Sequence, residues 1–443
     1  MGDCVGPFSA ARPAFLTEHI IRFLGVMISK PTQIKLALYF CAMIVLHGDV
    51  LWHARRSIPQ GLPDFSIFYT AGRILRDRQG SRLYDDALQE SVQRSFSPLA
   101  VQRRSGILPY NHPPFEALLF VPLAHLPYVT AYLTWFLVNA ALLVSIPFLL
   151  RTRLKALGHA PLYLWLLACL GFFPIFIALI QGQDSILLLF LYCLTYASVG
   201  RRSEFSVGGW LALGLYKYHL VAPFVLPLWR RKRLIAAFLS VALSLGLISL
   251  AITGWQGLLD YPRYVWGSEH DAKYVLNSPP GLTANLRGLI SAMVPAAHPE
   301  IRSCLLALFS AMVLLLMMYT AGRTLWADSG RRQAMLALNL VGTILISYHI
   351  FVHDLSLLFL AVVLVLELLL SDRPLPNATR TTLWVCIAIL FFSPLYQVLS
   401  LRYRQLQLMA IVLVIFFLGL LSLVHSLHTR PDGPVSPGAS AGR

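Results

Sequence analysis

The residues in this sequence that could do chemistry are few and lie in apolar surroundings. Asp64 opens the stretch "PDFSIFYTAGRILRDRQGSRLYD" (63–85), directly after the first hydrophobic segment. A carboxylate there can take a proton from a nucleophile, or it can cap the helix that follows; the residues alone leave both readings open. Lys217 and His219 lie in "YKYH", between two short apolar halves that together cover 206–229. A lysine at the centre of a membrane span costs roughly 2.5–3.5 kcal/mol, so Lys217 must snorkel to the surface or meet an anion. His349 and His353 stand four apart in "YHIFVHD" (348–354), on one face if that stretch is helical, with Asp354 beside His353. Two imidazoles and an acid can ligate a metal. A pair of interfacial histidines is the plain alternative.

The elements that must position these residues follow from composition. The 443 residues are 57% hydrophobic and only 13% charged, with a mean hydropathy of +0.66. That leaves too little polar surface for a soluble protein. Leu234 to Thr253, Ser303 to Gly322 and Leu406 to Val424 are uncharged runs of the roughly 20 residues that a helix needs to cross a bilayer, which excludes a closed barrel. The expectation is an all-α polytopic bundle of about 10–13 membrane segments.

Lys and Arg number 36 against 20 Asp and Glu, a net charge of +16. In a membrane protein this excess means basic cytoplasmic loops, with membrane lipids and not nucleic acid as the partner. Five of the six cysteines sit inside apolar runs and show no metal or disulfide spacing. No cleavage site follows an apolar core in the first 30 residues, so residues 1–30 read as a cytoplasmic segment and the first span as the inserting one.

Spans are expected near 34–52, 128–150, 161–180, 185–200, 234–253, 303–322, 333–349, 354–371, 381–399 and 406–427. The stretch 113–126 is short for a crossing, and 206–229 reads as a broken helix, tolerated where it lines a cavity. Lys30, Lys35, Arg201, Arg202, "RRKR" at 230–233, Arg331, Arg332, Arg373 and Arg380 set the cytoplasmic side. The first loop (53–112), "QGQDS" (181–185), "KYH" (217–219), the late loop (254–302) and "YHIFVHD" then share the outer face. If 113–126 crossed fully, Arg151, Arg153 and Lys155 would fall outside, against the charge rule. The Pro-, Gly- and Ser-rich end, 428–443, reads as a disordered tail after a membrane domain of 31–427.

Ile67, Phe68, Ala71, Ile74 and Leu75 recur at helical spacing, with Arg73, Arg76, Asp77 and Arg78 opposite. This predicts an amphipathic interfacial helix with Asp64 at its N-terminal end, at membrane level.

The stretch at 63–85, then "YNHPPFEALLFVPLAHLP", "AYLTWFLVNAALL", "QGQDSILLLFLY", "GGWLALGLYKYHLVAPFVLPLWRRKRLIAA" and "LTANLRGL", taken in order over roughly 60–355, resembles glycosyltransferase family 87. That family includes a phosphatidylinositol-mannoside mannosyltransferase. The resemblance implies a GT-C fold and inverting transfer of a sugar, mannose or another hexose or a pentose, from a polyprenyl-phosphate donor. The acceptor would be a hydroxyl of a lipid-linked or glycan molecule, in glycolipid or cell envelope synthesis at a bacterial inner membrane, with the site facing the periplasm or exterior. Asp64 matches the family's outer-loop acid and would be the general base. Lys217, Arg287 and His353, with His219 beside them, would hold the donor phosphate. Gln183 matches a family glutamine, while Asp184 stands where members commonly have asparagine. Gln183, Asp184, Tyr69 and Asn285 are the expected sugar or acceptor contacts. No cofactor beyond the polyprenyl-phosphate sugar as co-substrate is expected, and no metal, because the family's histidine in the 348–354 stretch is better explained as a donor to phosphate or sugar. A transporter or flippase of a lipid-linked saccharide is the alternative of another class, but such proteins often show related halves and no convincing repeat appears.

Overall fold

In a computed structural model, the described residues are 29–104, 106–270, 280–324, 328–371 and 373–429. All regular structure among them is helical. Most of the expected N-terminal segment and tail, Cys4, and 271–279 of the late loop lie outside them. The last helix runs to Thr429, two residues into the expected tail.

Helix α1 (Lys30–Ser57) is capped by the Ser29 hydroxyl and begins on proline, where a missing N–H costs nothing. It is followed by α2 (Phe65–Arg76), α3 (Asp86–Phe96), α4 (Pro98–Arg104) and the single turn α5 (Pro114–Ala117). Residues 114–125 form only short turns, so 113–126 does not cross. The chain then returns through α6 (Tyr128–Arg151), which places Arg153 beside Arg201 and Arg332 and removes the conflict with the charge rule.

The span expected at 161–180 is two helices, α7 (Leu162–Gly171) and α8 (Phe173–Gln181), bent by 72°. Phe172 is extended at the bend and Pro174 opens the second helix, so the break falls where proline needs no donor. Next come α9 (Ser185–Gly200), α10 (Glu204–Leu213) and α11 (Tyr218–Val225). The last two are separated by a 3₁₀ turn at Gly214–Lys217, the broken helix expected around "YKYH".

Helix α12 (Lys232–His270) continues past the expected span but changes direction at Gly254, whose φ of 70° glycine adopts without strain. It is followed by α13 (Leu286–Met293), α14 (Pro299–Thr324), α15 (Ser329–Ile346) and α16 (Leu358–Leu369). At a second bend, α17 (Asn377–Leu390) turns by 62° into Ser393–Arg402, which opens with α18 (Ser393–Tyr396), ahead of α19 (Met409–Thr429).

Among the described residues seven helices are long and apolar enough to span, or nine if each bent pair counts as one. The helix α16 is buried on nearly every side, which is why its sequence is apolar all round. Leu38, Val45, Leu243, Leu247 and Leu315 on α1, α12 and α14 project outward, as lipid-facing helices require.

The helix α2 forms over the predicted residues, but protein covers its apolar face. Phe65, Phe68, Tyr69, Ala71 and Ile74 join Tyr110, Phe120, Tyr128, Tyr132 and Trp135 in a second core. Phe68 stacks on Phe120 at 4.7 Å. Gly72 lies so close to the Phe120 carbonyl that a Cβ would sit 2.5 Å from its oxygen. The aromatic residues downstream, unreadable as partners from sequence, bury the helix.

Candidate active site

Asp64 stands at the N-terminus of α2, yet its side chain makes no capping hydrogen bond. Its Oδ2 instead accepts from Gln183 Nε2 at 2.7 Å, and its backbone N–H donates to Gln181 Oε1 at 3.2 Å. Oδ1 has no hydrogen bond among the described residues. The partner glutamine is delivered by the turn after α8, where Gly182 has φ 61°. Trp135 Nε1 donates to the Gly182 carbonyl at 2.9 Å, and Tyr132 donates to that of Ile180 at 2.7 Å, so the aromatic core fixes the turn. Arg104 of α4, not singled out in the sequence, donates to the carbonyls of Gly61 and Leu62 ahead of Asp64. Burial lowers its affinity for a proton, and the charge of Asp64 opposes that.

Behind this pair lies an ion cluster centred on Lys217. Its ammonium is 2.6 Å from Asp354 Oδ1, 2.9 Å from Asp184 Oδ1 and 3.0 Å from Ser185 Oγ, with all of these side chains buried. The intramembrane lysine therefore meets anions instead of snorkelling. Asp354 is held further by the Ser185 hydroxyl and the Phe351 N–H. His353 Nε2 lies 3.4 Å from Asp354 Oδ2, and His353 is near enough to Asp64 for their charges to interact.

Two members of the cluster escaped the sequence reading: His112 and Glu116, one turn apart. His112 Nδ1 is 2.8 Å from Glu116 Oε2 and 3.7 Å from Asp184 Oδ2. Burial, then the charge of Asp184, pushes Glu116 well above the usual carboxylate range, so it is protonated and can donate to Asp184. For Asp184 burial works the same way, but the attraction of the Lys217 ammonium outweighs it and keeps Asp184 ionised. Burial lowers His112 to about 4, leaving it neutral. The available signal was a glutamate inside the apolar run "FEALLF", with a histidine four residues before it.

His112, Glu116 and Asp184 offer ligand atoms all within 4.8 Å of one another, a set that suits a divalent cation. The pair His349 and His353, by contrast, falls partly in extended chain, with Val352–Leu357 forming a 3₁₀ turn; the two histidines do not share a helix face. His219 faces His349 with ring centres 6.1 Å apart, and its Nε2 is buried without a hydrogen-bond partner among the described residues.

Arg287 lies 4.0 Å over the ring of Tyr348 and donates to its carbonyl. Asn285 caps α13 through the Gly288 N–H and donates to the Ser347 carbonyl, so its amide is spent on positioning the Arg287 turn. The ring of Tyr69 is buried in the aromatic core and its hydroxyl donates to the Leu126 carbonyl. The structure thus gathers Asp64, Gln183, Asp184, Lys217 and His353 with His112, Glu116, Ser185 and Asp354. It places Tyr69 and Asn285 in supporting packing.

Residues 110–351, more than half of the chain, match the model of glycosyltransferase family 87. No curated protein and no solved structure matches.

Proposed function

The chain belongs to glycosyltransferase family 87, and on that premise we propose that it is an inverting enzyme with Asp64 as general base. Family membership makes it a membrane-embedded glycosyltransferase. The donor we infer is a polyprenyl-phosphate sugar, with mannose or another hexose or a pentose as the group moved. The acceptor we infer is a hydroxyl of a lipid-linked or glycan molecule, and the distribution of basic loops supports a site on the outer face.

One observation carries this reading: of the acids gathered here, Asp64 alone is half-buried with an oxygen left over. Asp184 and Asp354 are tied to Lys217, and Glu116 is protonated. A sugar hydroxyl is a poor nucleophile until its proton is removed as it attacks. In a single displacement the hydroxyl oxygen bonds to the anomeric carbon, Asp64 takes the proton, and the glycosidic bond breaks to release polyprenyl phosphate. Gln183 holds one carboxylate oxygen and so orients the other. The negative charge growing on the leaving phosphate calls for cations and donors, which His353, His219 and Arg287 supply. Lys217 acts from behind, holding Asp184 and Asp354 in place.

The test is sugar transfer by the purified protein in lipid, with a panel of polyprenyl-phosphate donors, comparing the parent with Asp64→Asn. The variant is expected to lose about 10²–10⁴ in turnover while still binding donor. Equal transfer by both would reduce Asp64 to a positioning residue.

A further inference from the structure

We propose that the end of the bundle opposite Asp64 carries a second anion site, built to hold the phosphate of an anionic membrane lipid between Arg153, Arg201 and Arg332. The helices α6, α9 and α15 each run from the neighbourhood of the carboxylates to this end. Over the 16 residues of α9 the separation is roughly 24 Å at 1.5 Å per residue.

A cavity of about 580 Å³ opens there, lined by these three arginines with Thr152, Tyr196 and Gly200, and no carboxylate lines it. Two nearby arginines, Arg331 and Arg373, are already matched. Arg331 pairs with Asp328 and donates to the Leu427 carbonyl, and Arg373 pairs with Asp328. Arg153 is held by the Leu149 and Ala197 carbonyls, which points a fixed guanidinium into the cavity. The side chains of Arg201 and Arg332 have no hydrogen bond or ion pair among the described residues, and Arg332 Nε is buried without an acceptor. A buried donor left without an acceptor is costly, so the cluster is incomplete without an anion. Tyr196 accepts from Gln333 at 3.0 Å, leaving its own O–H proton for the same ligand.

The φ of 56° at Arg202 turns the chain so that Arg201 lines this cavity and Arg202 its neighbour. That neighbour, about 770 Å³, adds Arg230, Arg231, Lys232 and Arg233 and holds one carboxylate, Glu204. A lipid is the occupant these features favour. The cavities sit where apolar helices end, the level of phospholipid head groups, and Phe205 beside them is 71% exposed, as an interfacial anchor is. Planar guanidiniums suit a phosphate fork to fork.

The experiment uses the full chain in detergent, with native mass spectrometry reading retention of phosphatidylglycerol against phosphatidylcholine. The parent is expected to hold phosphatidylglycerol preferentially. Arg201→Gln with Arg332→Gln should weaken that by at least about tenfold, the loss of one or two charge-assisted hydrogen bonds, whereas Lys35→Gln at the same end should not. The double variant Arg201→Lys with Arg332→Lys, which keeps the charge and guards against misfolding, should retain an intermediate level. Undiminished retention in the Gln pair would overturn the site. Displacement of phosphatidylglycerol by millimolar inorganic phosphate would overturn the lipid assignment in favour of a soluble anion.

Discussion

Replacing Lys217 with methionine removes the only ammonium between two carboxylates that are each 1% exposed. At 2.6 and 2.9 Å and an effective dielectric near 20, each attraction is gross about 6 kcal/mol. Most of that offsets the cost of taking the charges out of water. The net price of breaking a buried pair from one side is about 3–5 kcal/mol, because the remaining charge has no partner. Here Asp354 keeps the Ser185 hydroxyl and the Phe351 N–H, while Asp184 keeps only the proton of Glu116, so the variant falls at the upper end. Such a loss is a large part of a typical folding free energy. Unfolding monitored by tryptophan fluorescence in nanodiscs should show it. Adding Asp354→Asn to Lys217→Met should recover part of the loss, since an amide needs no counter-charge, with a coupling of at least about 2 kcal/mol in the double-mutant cycle. If Lys217→Met were as stable as the parent and only donor affinity fell, the ammonium would belong to the substrate's phosphate and the reasoning from enclosure would be refuted.

Three further outcomes follow from the same geometry. His112 is held at about 4, below its ordinary 6.5, so its neutral form contributes stability that is present above pH 6.5 and lost as pH falls toward 4. That amounts to about 3 kcal/mol, and His112→Gln should flatten the acid limb of stability against pH by that order. Gly182→Ala demands a left-handed alanine whose Cβ would meet that of Phe65 at 2.8 Å. It should displace Gln183 from Asp64 and cut turnover by about tenfold or more with the helical content unchanged, whereas Gly200→Ala, with open space around it, should not. Because Lys217 already balances Asp184 and Glu116 is neutral, sugar transfer should persist in EDTA. Loss of transfer restored by Mn²⁺ would instead assign a cation to His112, Glu116 and Asp184.

Hydropathy alone determined that this chain is a polytopic helical membrane protein, because the need to satisfy backbone groups in lipid leaves runs of apolar residues no other structure. The break at "YKYH" was legible for the same reason: a lysine in an apolar run forces the chain to find it a partner. The order of motifs carried the family, and Asp64 stood out because an acid at membrane level is costly. What tertiary structure alone decided were the partners. Lys217 meets Asp354 from 137 residues away, and Asp64 meets Gln183 from 119. Whether Asp64 capped its helix was undecidable until Gln183 was seen to take its carboxylate. Glu116 read as part of a short apolar stretch, and its protonated state depends on its burial and on Asp184, which folding brings beside it. The helix α2 had the pattern of a surface helix, but aromatic residues from 110 to 135 fold over it. Local pattern fixes which residues must leave water; long-range packing fixes which charges they meet when they do.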